Sequence, residues 1–592
     1  MSNENNGDEI LAIMSMIILS ICWISLDSND SIVLKSLVSV ILVFITILLF
    51  SRDSSLSVVA LFIIGICLRF HYISFVNFDD VPYGDAQIDL FMTNVLLENE
   101  QITFIKHEIY DDRLLYYSSW PLSQICVVMF ASISGLDNLT STHSMQLFSY
   151  LACFLLAYHV FFNLGRLILN GSKKNLRWAL LLFIALPELN YWQGEYVRLN
   201  LGLLSSYFAI FSLTLMLSPK FRLQSSILLV LSCVMLGFSH NLTTAISVLG
   251  FFLAFLILLG ISMKEKSLKD ESTKTFIKML GNNLTLLSIV GIIWWSLVGE
   301  VLFPKIQGVI GRYSSILIEG FSLTHDPRIP TPPELSPLWA KFLLYGRDLL
   351  LLPTTAIGFL MLSKENLGHS KLPFNFVFSF SMAYFLVFAL LFLWAEPFRV
   401  LTYASPFMAI CFANFFSSER IWDDSGTSKF SRKTILTIIL VAAFLSPNAH
   451  THSPMYFYND DLNKTEYGLP GENSRYAILF AVENSAPNST ISSDHPDYSI
   501  HPVSPKDIDR FFSVVTDVNE DSFGKVVYSP TTEIILLVKG GNLFQLQSAQ
   551  STNSSFLEFT EVSQDRIIDV LTSNANLVYN QGDGVSIWTI PS

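Results

Sequence analysis

The chain has 592 residues, of which 51% are hydrophobic and only 14% are charged, and its mean hydropathy is +0.47. Soluble globular proteins carry about 25% charged residues. The composition therefore excludes an ordinary soluble enzyme, a disordered chain and a coiled coil, and it indicates a polytopic membrane protein. Most of the net charge of −13 comes from residues 447–592, which contain 18 Asp and Glu against 7 Lys and Arg.

All six cysteines lie in apolar stretches, and residues 447–592 contain none. This distribution excludes a disulfide framework and a thiolate metal site in the polar C-terminal region. The first ten residues contain no Lys or Arg, so the first apolar run is predicted to be a retained span and not a cleaved signal peptide.

About thirteen apolar stretches are predicted to cross the membrane, near 10–26, 32–50, 56–76, 143–165, 178–190, 199–218, 224–239, 242–262, 283–303, 345–363, 373–394, 399–416 and 434–446. The Lys- and Arg-rich loops then all fall on the cytoplasmic side, provided that the apolar segment 120–136 does not cross. We therefore predict a juxtamembrane or re-entrant helix for that segment. The N-terminus is expected in the cytoplasm and the C-terminal domain outside.

Residues 1–446 are thus predicted to form a transmembrane domain with outer loops at 77–142 and 304–344. The proline-rich stretch DPRIPTPPELSP in the second loop is expected to be stiff and non-helical. Residues 447–592 are predicted to form an extracytoplasmic α/β or mostly β domain. It has short strands at STISSD, KVVYS and EIILLVKGG and a hairpin at NLVYNQGDGVSIWTI.

The densest polar cluster of the sequence begins in FDDVPYGDAQIDL, after the third predicted span. Asp85 and Asp89 are spaced i, i+4, so they would share one face of a helix that continues through LFMTNVLLENE. Helix capping is an equally weighted interpretation for Asp85, and a solvated surface position is the simpler one for Asp80. Carboxylates beside a membrane boundary nevertheless suit a general base or a metal site. His107 follows in the same outer loop.

Three further groups of polar residues lie at predicted outer ends of spans. Glu396 and Arg399 precede the twelfth span in WAEPFRVLTYASP, where the forked guanidinium suits an anionic headgroup or phosphate, although snorkelling alone explains an arginine there equally well. Glu195 and Arg198 lie in NYWQGEYVRLN, where a structural turn pair is the simpler interpretation. His240 lies in FSHNLTT, where a satisfied buried histidine is the simpler interpretation.

Together, these motifs resemble those of the GT-C superfamily of membrane glycosyltransferases. The relevant elements are the acidic GDAQIDLFMTNVLLENEQI, the aromatic-proline YYSSWPLSQICVVMFASISGL, the turn HNLTT, the late EPFRVLTYASPF and the C-terminal outer hairpin. Archaeal members related to the protein mannosyltransferase and aminoarabinose transferase families are the most similar in arrangement. The sequence departs from them in having two additional spans at its start, no adjacent Asp-Glu pair and no His-Pro-Pro element.

The resemblance implies a multi-pass cell-membrane enzyme that takes a sugar from a polyprenyl-phosphate donor, such as a dolichyl phosphate. The acceptor would be a lipid-linked glycan or a protein on the outer face. The catalytic acid of the family's first outer loop corresponds best to Asp85, with Asp80 and Asp89 in reserve, and Arg399 is the first choice for the phosphate-binding cation. No cofactor is assigned, although a divalent cation is compatible with the carboxylates, and no nucleic-acid partner is expected.

Two other classes of protein stay open at this point. A transporter or lipid flippase with an outer cap predicts polar or broken helices at mid-membrane and often internal repeats, and neither is apparent in the sequence. A non-catalytic receptor or assembly factor would use the acidic outer domain for binding. An oligosaccharyltransferase of the same fold is disfavoured, because the only Trp-Trp pair, Trp294-Trp295, lies inside a predicted span and is followed by Ser-Leu.

Overall fold

The computed structural model describes residues 84–99, 118–168, 173–186, 198–298, 351–361, 371–391 and 399–417, a few isolated positions and nine strands between 490 and 589. The described helices are, in chain order, α1 (Gly84–Asn99), α2 (Leu122–Ser134), α3 (Asn138–Ile168), α4 (Lys173–Ala185), α5 (Arg198–Met216), α6 (Arg222–Ser239), α7 (Asn241–Lys264), α8 (Glu271–Leu297), α9 (Leu351–Met361), α10 (Lys371–Leu391) and α11 (Arg399–Ser417). The predicted spans 10–26, 32–50, 56–76 and 434–446 lie outside the described residues.

Six of the described helices are long and apolar enough to cross a membrane, namely α3, α5, α6, α7, α8 and α10. For α6 the candidate span is the slightly longer segment Pro219–Ser239. The structure therefore confirms a helical, multi-pass membrane protein. The total of about thirteen spans and the orientation of the termini stay predictions. The described helix of the segment 120–136, α2, has 13 residues. At 1.5 Å per residue it is about 20 Å long, which is shorter than the hydrocarbon core.

Helix α8 begins at Glu271, so it includes polar turns that precede the apolar stretch predicted to cross the membrane from residue 283. The Asp270 side chain caps this helix by accepting hydrogen bonds from the backbone N–H of Thr273 at 2.9 Å and from the Thr273 hydroxyl at 2.8 Å. These bonds hold the pKa of Asp270 below its ordinary value of 3.8. The first two turns of α8 contain Lys274 and Lys278, so they are helical without being apolar, and hydropathy alone does not predict where this helix begins.

The chain divides into two compact units. The first consists of Met1–Phe75, His143–Ser315 and Pro337–His450, and the second of Val76–Thr142, Ile316–Ser336 and Thr451–Ser592. The second unit draws on the three parts of the sequence that were predicted to form the outer surface, although of the predicted loop 304–344 it contains only Ile316–Ser336. The location of that surface outside the cell stays a prediction, as do the domain boundaries.

Helix α5 is the most enclosed of the candidate spans in the first unit, with 83% of its apolar window buried, against 33% for α8 and for the segment that contains α6. It packs against α6, α7 and α11. Glycines permit close approach of helices, as is usual in membrane bundles. A Cβ atom added to Gly250 of α7 would lie 2.9 Å from the Tyr384 ring of α10, and one added to Gly358 of α9 would overlap the backbone of α11 at Cys411.

Helix α11 contains a proline, Pro406, in its interior. Proline lacks the N–H that would bond to the carbonyl four residues earlier, which is that of Thr402. Tyr207 of α5 donates a hydrogen bond to the Thr402 oxygen at 2.9 Å, and the Ser405 hydroxyl donates to the same oxygen at 2.8 Å. The carbonyl that Pro406 leaves without a backbone donor is therefore satisfied by side chains.

In the second unit, α1 packs against α2. Leu90 of α1 also packs against Leu139, in the first turn of α3. Asp137 precedes α3 and accepts a hydrogen bond from the backbone N–H of Thr140 at 2.9 Å. Hydrogen bonds from the Thr140 hydroxyl, and then from its amide, hold the pKa of Asp137 below its ordinary value.

The strands of the second unit are β1 (Thr490–Ser493), β2 (Phe511–Ser513), β3 (Val515–Asp517), β4 (Lys525–Val527), β5 (Thr532–Val538), β6 (Leu543–Leu546), β7 (Phe559–Val562), β8 (Asn576–Asn580) and β9 (Val585–Thr589). Five form one sheet in the order β2-β1-β5-β9-β8, in which β1 is parallel to β2 and β5. The predicted hairpin is confirmed by antiparallel pairing of β8 with β9. Whether the domain is α/β or mostly β stays a prediction.

Candidate active site

Three helices of the first unit begin close together. Arg198 is the first residue of α5, His240 immediately precedes α7, and Arg399 is the first residue of α11. A Cβ atom added to Gly202, one turn into α5, would lie 2.8 Å from the Cγ2 atom of Thr243, so the α5 backbone lies directly against the first turn of α7. The three N-termini therefore meet at one end of this unit.

A hydrogen bond joins α7 to α11 at the same level. The Thr243 and Tyr403 hydroxyl oxygens are 2.7 Å apart, and both side chains are fully buried. Tyr403 lies four residues after Arg399, which is one helical turn. The bond therefore fixes the first turns of α7 and α11 against each other, within one turn of Arg399.

His240 caps α7. Its Nδ1 atom accepts a hydrogen bond from the backbone N–H of Thr243 at 3.3 Å and lies 3.1 Å from the Thr243 hydroxyl. The side chain is 8% exposed, which agrees with the prediction of a satisfied buried histidine. With Nδ1 as acceptor, the neutral ring carries its proton on Nε2.

This end of the first unit brings together three helix N-termini and two arginine residues. The dipole of each helix contributes about half an elementary positive charge at its N-terminus, and at α7 the first-turn amides of Leu242 and Thr243 already donate to Asn241 and His240. Arg198 adds a guanidinium whose side chain is only 4% exposed, and Arg399 adds a second cationic residue at the start of α11. Helix N-termini and arginines are the groups that commonly form phosphate sites in proteins.

In the second unit, Asp89 of α1 is fully buried. Its Oδ1 atom accepts a hydrogen bond from Nε2 of Gln124 in α2 at 2.9 Å. Trp120, in the turn before α2, is 1% exposed, and its indole N–H has no hydrogen-bond partner in the structure as described. The face of α1 that carries Asp89 is thus enclosed by α2.

The other predicted site residues are only partly described. Asp85 lies in the first turn of α1 and Arg399 in the first turn of α11, but the structure does not describe the side chain of either residue. The predicted Asp80, His107, Glu195 and Glu396 lie outside the described residues, and the two members of the pair Asp85 and Arg399 belong to different units. Their proximity stays a prediction.

No group of three or more His, Cys, Asp or Glu side chains suited to a metal ion occurs among the described residues. A divalent cation stays an open alternative, because the acidic loop that contains Asp80 lies outside the described residues.

Comparisons with known proteins identify the fold. No protein-family model and no curated protein sequence matches the chain. The crystal structure of ArnT from Cupriavidus metallidurans bound to undecaprenyl phosphate matches with a TM-score of 0.51 and 10% identity, over 90% of this chain and 98% of that one. The oligosaccharyltransferase of Archaeoglobus fulgidus tethered with an acceptor peptide containing the NVT sequon matches with a TM-score of 0.50 and 12% identity, over 82% of this chain and 69% of that one.

Both solved structures belong to the GT-C superfamily of membrane glycosyltransferases, so the chain has the GT-C fold that its motifs predict. At 10% and 12% sequence identity, these matches show a shared fold alone.

Several residues of the candidate site carry no signal in the sequence. Gln124 is one amide inside an apolar run, and Tyr403 is one of 21 tyrosines. Only HNLTT contains a local clue, because Thr243 follows His240 at the spacing of an N-terminal capping contact.

Proposed function

We propose that this protein is a membrane glycosyltransferase that transfers a sugar from a polyprenyl-phosphate donor to an acceptor hydroxyl on the outer face. The observation that carries the proposal is the meeting of the N-termini of α5, α7 and α11 in a chain with the GT-C fold. A lipid phosphate is an anion of the size and charge that three helix N-termini and two arginines accommodate.

The comparison with ArnT supports the choice of donor. That protein was crystallised bound to undecaprenyl phosphate, which is a polyprenyl phosphate. The oligosaccharyltransferase of Archaeoglobus has an acceptor peptide tethered to it, which supports an acceptor that is a separate molecule from the lipid donor. For this chain, a protein and a lipid-linked glycan are both retained as acceptor classes.

In the proposed reaction, the acceptor hydroxyl oxygen attacks the anomeric carbon while the bond from that carbon to the phosphate oxygen breaks. The lipid phosphate leaves with the electron pair, and Asp85 takes the proton of the hydroxyl. A phosphate is already a good leaving anion, so a general acid such as hydrolases need is not required. A single direct attack inverts the anomeric centre.

Arg399 is proposed to hold the departing phosphate, with Arg198 and the α7 N-terminus at His240 beside it. Negative charge grows on the phosphate as the bond breaks, so fixed cations and helix dipoles stabilise the transition state more than the ground state. Glu396, Glu195 and His107 are proposed to line the acceptor or donor path near these residues.

The finer architecture belongs to the same proposal. About thirteen spans, a cytoplasmic N-terminus and an extracytoplasmic C-terminal domain would bring Asp85 and Arg399 to the same side of the membrane. The alternation of basic loops supports this topology.

The test is an assay of sugar transfer from a polyprenyl-phosphate donor by purified protein in nanodiscs. We expect Asp85→Asn and Arg399→Ala to lower turnover by at least about a hundredfold, as loss of a base or of a key charge contact does. The matched controls are Asp137→Asn, which alters an exposed capping carboxylate, and Arg222→Ala, which removes a guanidinium that bonds the Ser272 hydroxyl. Unaltered transfer in both test variants would contradict the proposal.

A deletion strain gives an independent test. Mass analysis of its lipid-linked glycans and surface glycoproteins should show the loss of a single sugar. An unchanged glycan profile would favour a transporter or a receptor.

A further inference from the structure

We propose that Asp89 and Gln124 form a clamp that fixes the rotation of α1 on α2, and that Asp89 is a positioning residue for Asp85 and not a second base. This inference rests on the proposed function, in which Asp85 takes the proton of the acceptor.

The clamp is a buried contact between two helices. Nε2 of Gln124 donates to Oδ1 of Asp89 at 2.9 Å, across 35 residues of sequence. Asp89 is 0% exposed and Gln124 is 2% exposed. A general base must come within about 2.6–3.2 Å of the hydroxyl that it deprotonates. An enclosed carboxylate that already accepts a side-chain hydrogen bond is suited to holding a helix in place.

A second contact holds α1 on the adjacent face. Nδ2 of Asn138, at the start of α3, donates to Oδ1 of Asn94 at 2.7 Å. Leu139 packs against Leu90, one turn before Asn94. Residue 90 is offset by about 100° from residue 89 around the helix axis, and residue 94 is offset by the same angle from residue 93. Two contacts at different angles around the axis prevent α1 from turning about it.

The rotation of α1 determines where residue 85 faces. Asp85 lies four residues before Asp89, so the two positions differ by about 40° around the axis and share one face. If α1 turned by one residue, position 85 would move by about 100°. A base must be aimed to within a fraction of an ångström, so the clamp is required for catalysis without touching the substrate.

The first experiment separates a base from a hydrogen-bond acceptor. Asp89→Asn has the same shape and keeps an oxygen that accepts from Gln124, but it cannot take a proton at neutral pH. We expect Asp89→Asn to retain turnover within about tenfold of the wild type, whereas Asp85→Asn loses at least about a hundredfold. Asp89→Leu, which has no acceptor, should lose as much as Asp85→Asn. Turnover as low in Asp89→Asn as in Asp85→Asn would overturn the proposal.

The second experiment reverses the donor and the acceptor of this hydrogen bond. Gln124→Glu places two carboxyl groups in contact, which must share a proton. We expect this variant to lose activity and thermal stability at pH 8 and to regain part of both at pH 5.5. In the double variant Asp89→Asn with Gln124→Glu, the Asn amide can donate to the Glu carboxylate, so both properties should recover at pH 8. A double variant no better than Gln124→Glu alone would overturn the clamp.

Thermal stability in this second experiment is measured without substrate, so it tests the clamp even if the protein transfers no sugar. Asp137→Asn is the control, because it alters an exposed carboxylate of the same unit. Its effect on thermal stability should be the same whether residue 124 is Gln or Glu. Failure of transfer in the wild type, together with recovery of stability in the double variant, would reject the proposed function and retain the clamp.

Discussion

Tyr207 of α5 donates a hydrogen bond to the backbone oxygen of Thr402 in α11, at 2.9 Å. The Thr402 oxygen is the one that would accept from residue 406 in an uninterrupted helix, and residue 406 is a proline. A side chain of one helix thus completes the backbone hydrogen bonding of another.

This relationship predicts how two substitutions combine. Tyr207→Phe should destabilise the protein by about 1 kcal/mol, because it removes one of the two side-chain donors to a buried carbonyl. Pro406→Ala restores a backbone N–H for that carbonyl, so Tyr207→Phe should cost measurably less in the Pro406→Ala background. A double-mutant cycle of thermal denaturation midpoints measures the coupling. Equal costs in the two backgrounds would contradict this account.

Gly202 is predicted to tolerate no larger residue. Its substitution by Ala would bring a Cβ atom to 2.8 Å from Thr243 Cγ2, so α5 and α7 must separate where the proposed phosphate site begins. We expect a loss of about 1–3 kcal/mol, which is typical of overpacking, together with weaker donor binding. Gly260→Ala is the matched control, because a Cβ atom there meets nothing within 4 Å. Denaturation midpoints and the KM for the donor should separate the two variants.

His240 caps α7 and is also proposed to bind the substrate through its imidazole, and one substitution separates these two roles. Asparagine is among the best N-capping residues, so His240→Asn should keep a bond to the Thr243 amide and hold the stability of the protein within about 0.5 kcal/mol. It removes the imidazole, so transfer should fall. His240→Ala should lower both stability and transfer. If His240→Asn transferred sugar at the wild-type rate, His240 would be a cap alone.

The capping carboxylate of α8 predicts a dependence of stability on pH. The hydrogen bonds from the Thr273 hydroxyl and amide lower the pKa of Asp270 in the folded protein below 3.8. Stability from this group is therefore fully present above its unfolded pKa and is lost as the pH falls through the folded one. The stability difference between the wild type and Asp270→Asn should shrink between about pH 5 and pH 2.

Thermal denaturation of both proteins over that range measures this difference. Glu271→Gln is the control, because it removes the neighbouring carboxylate and leaves the cap in place. A difference that stays constant with pH would contradict the assignment of the cap.

The membrane-spanning helices were predictable from the sequence because each is encoded by a long apolar run. Runs of about 20 apolar residues identify α3, α5, α7 and α10 without reference to tertiary contacts. The start of α8 was not predictable, because a polar helical turn capped by Asp270 has the same hydropathy as a loop.

The candidate site was predictable at its charged residues and at His240. Asp85, Arg198 and Arg399 attract attention because charge is scarce near the membrane. The contacts Gln124–Asp89 and Tyr403–Thr243 join residues that are 35 and 160 positions apart, and each uses ordinary polar groups. Nothing local distinguishes Gln124 or Tyr403 from other side chains of their type, so only the folded arrangement identifies them.

The unequal enclosure of the spans has a consequence for how this protein can change over evolution. Outward positions of α6 and α8 need only stay apolar to suit lipid, so Leu, Ile, Val and Phe can replace one another there at little cost. Helix α5 touches neighbouring helices on most of its surface, with 83% of its apolar window buried. Differences in substrate between transferases built on this fold should therefore correlate with the sequence of α5 and not with the outward positions of α6 and α8.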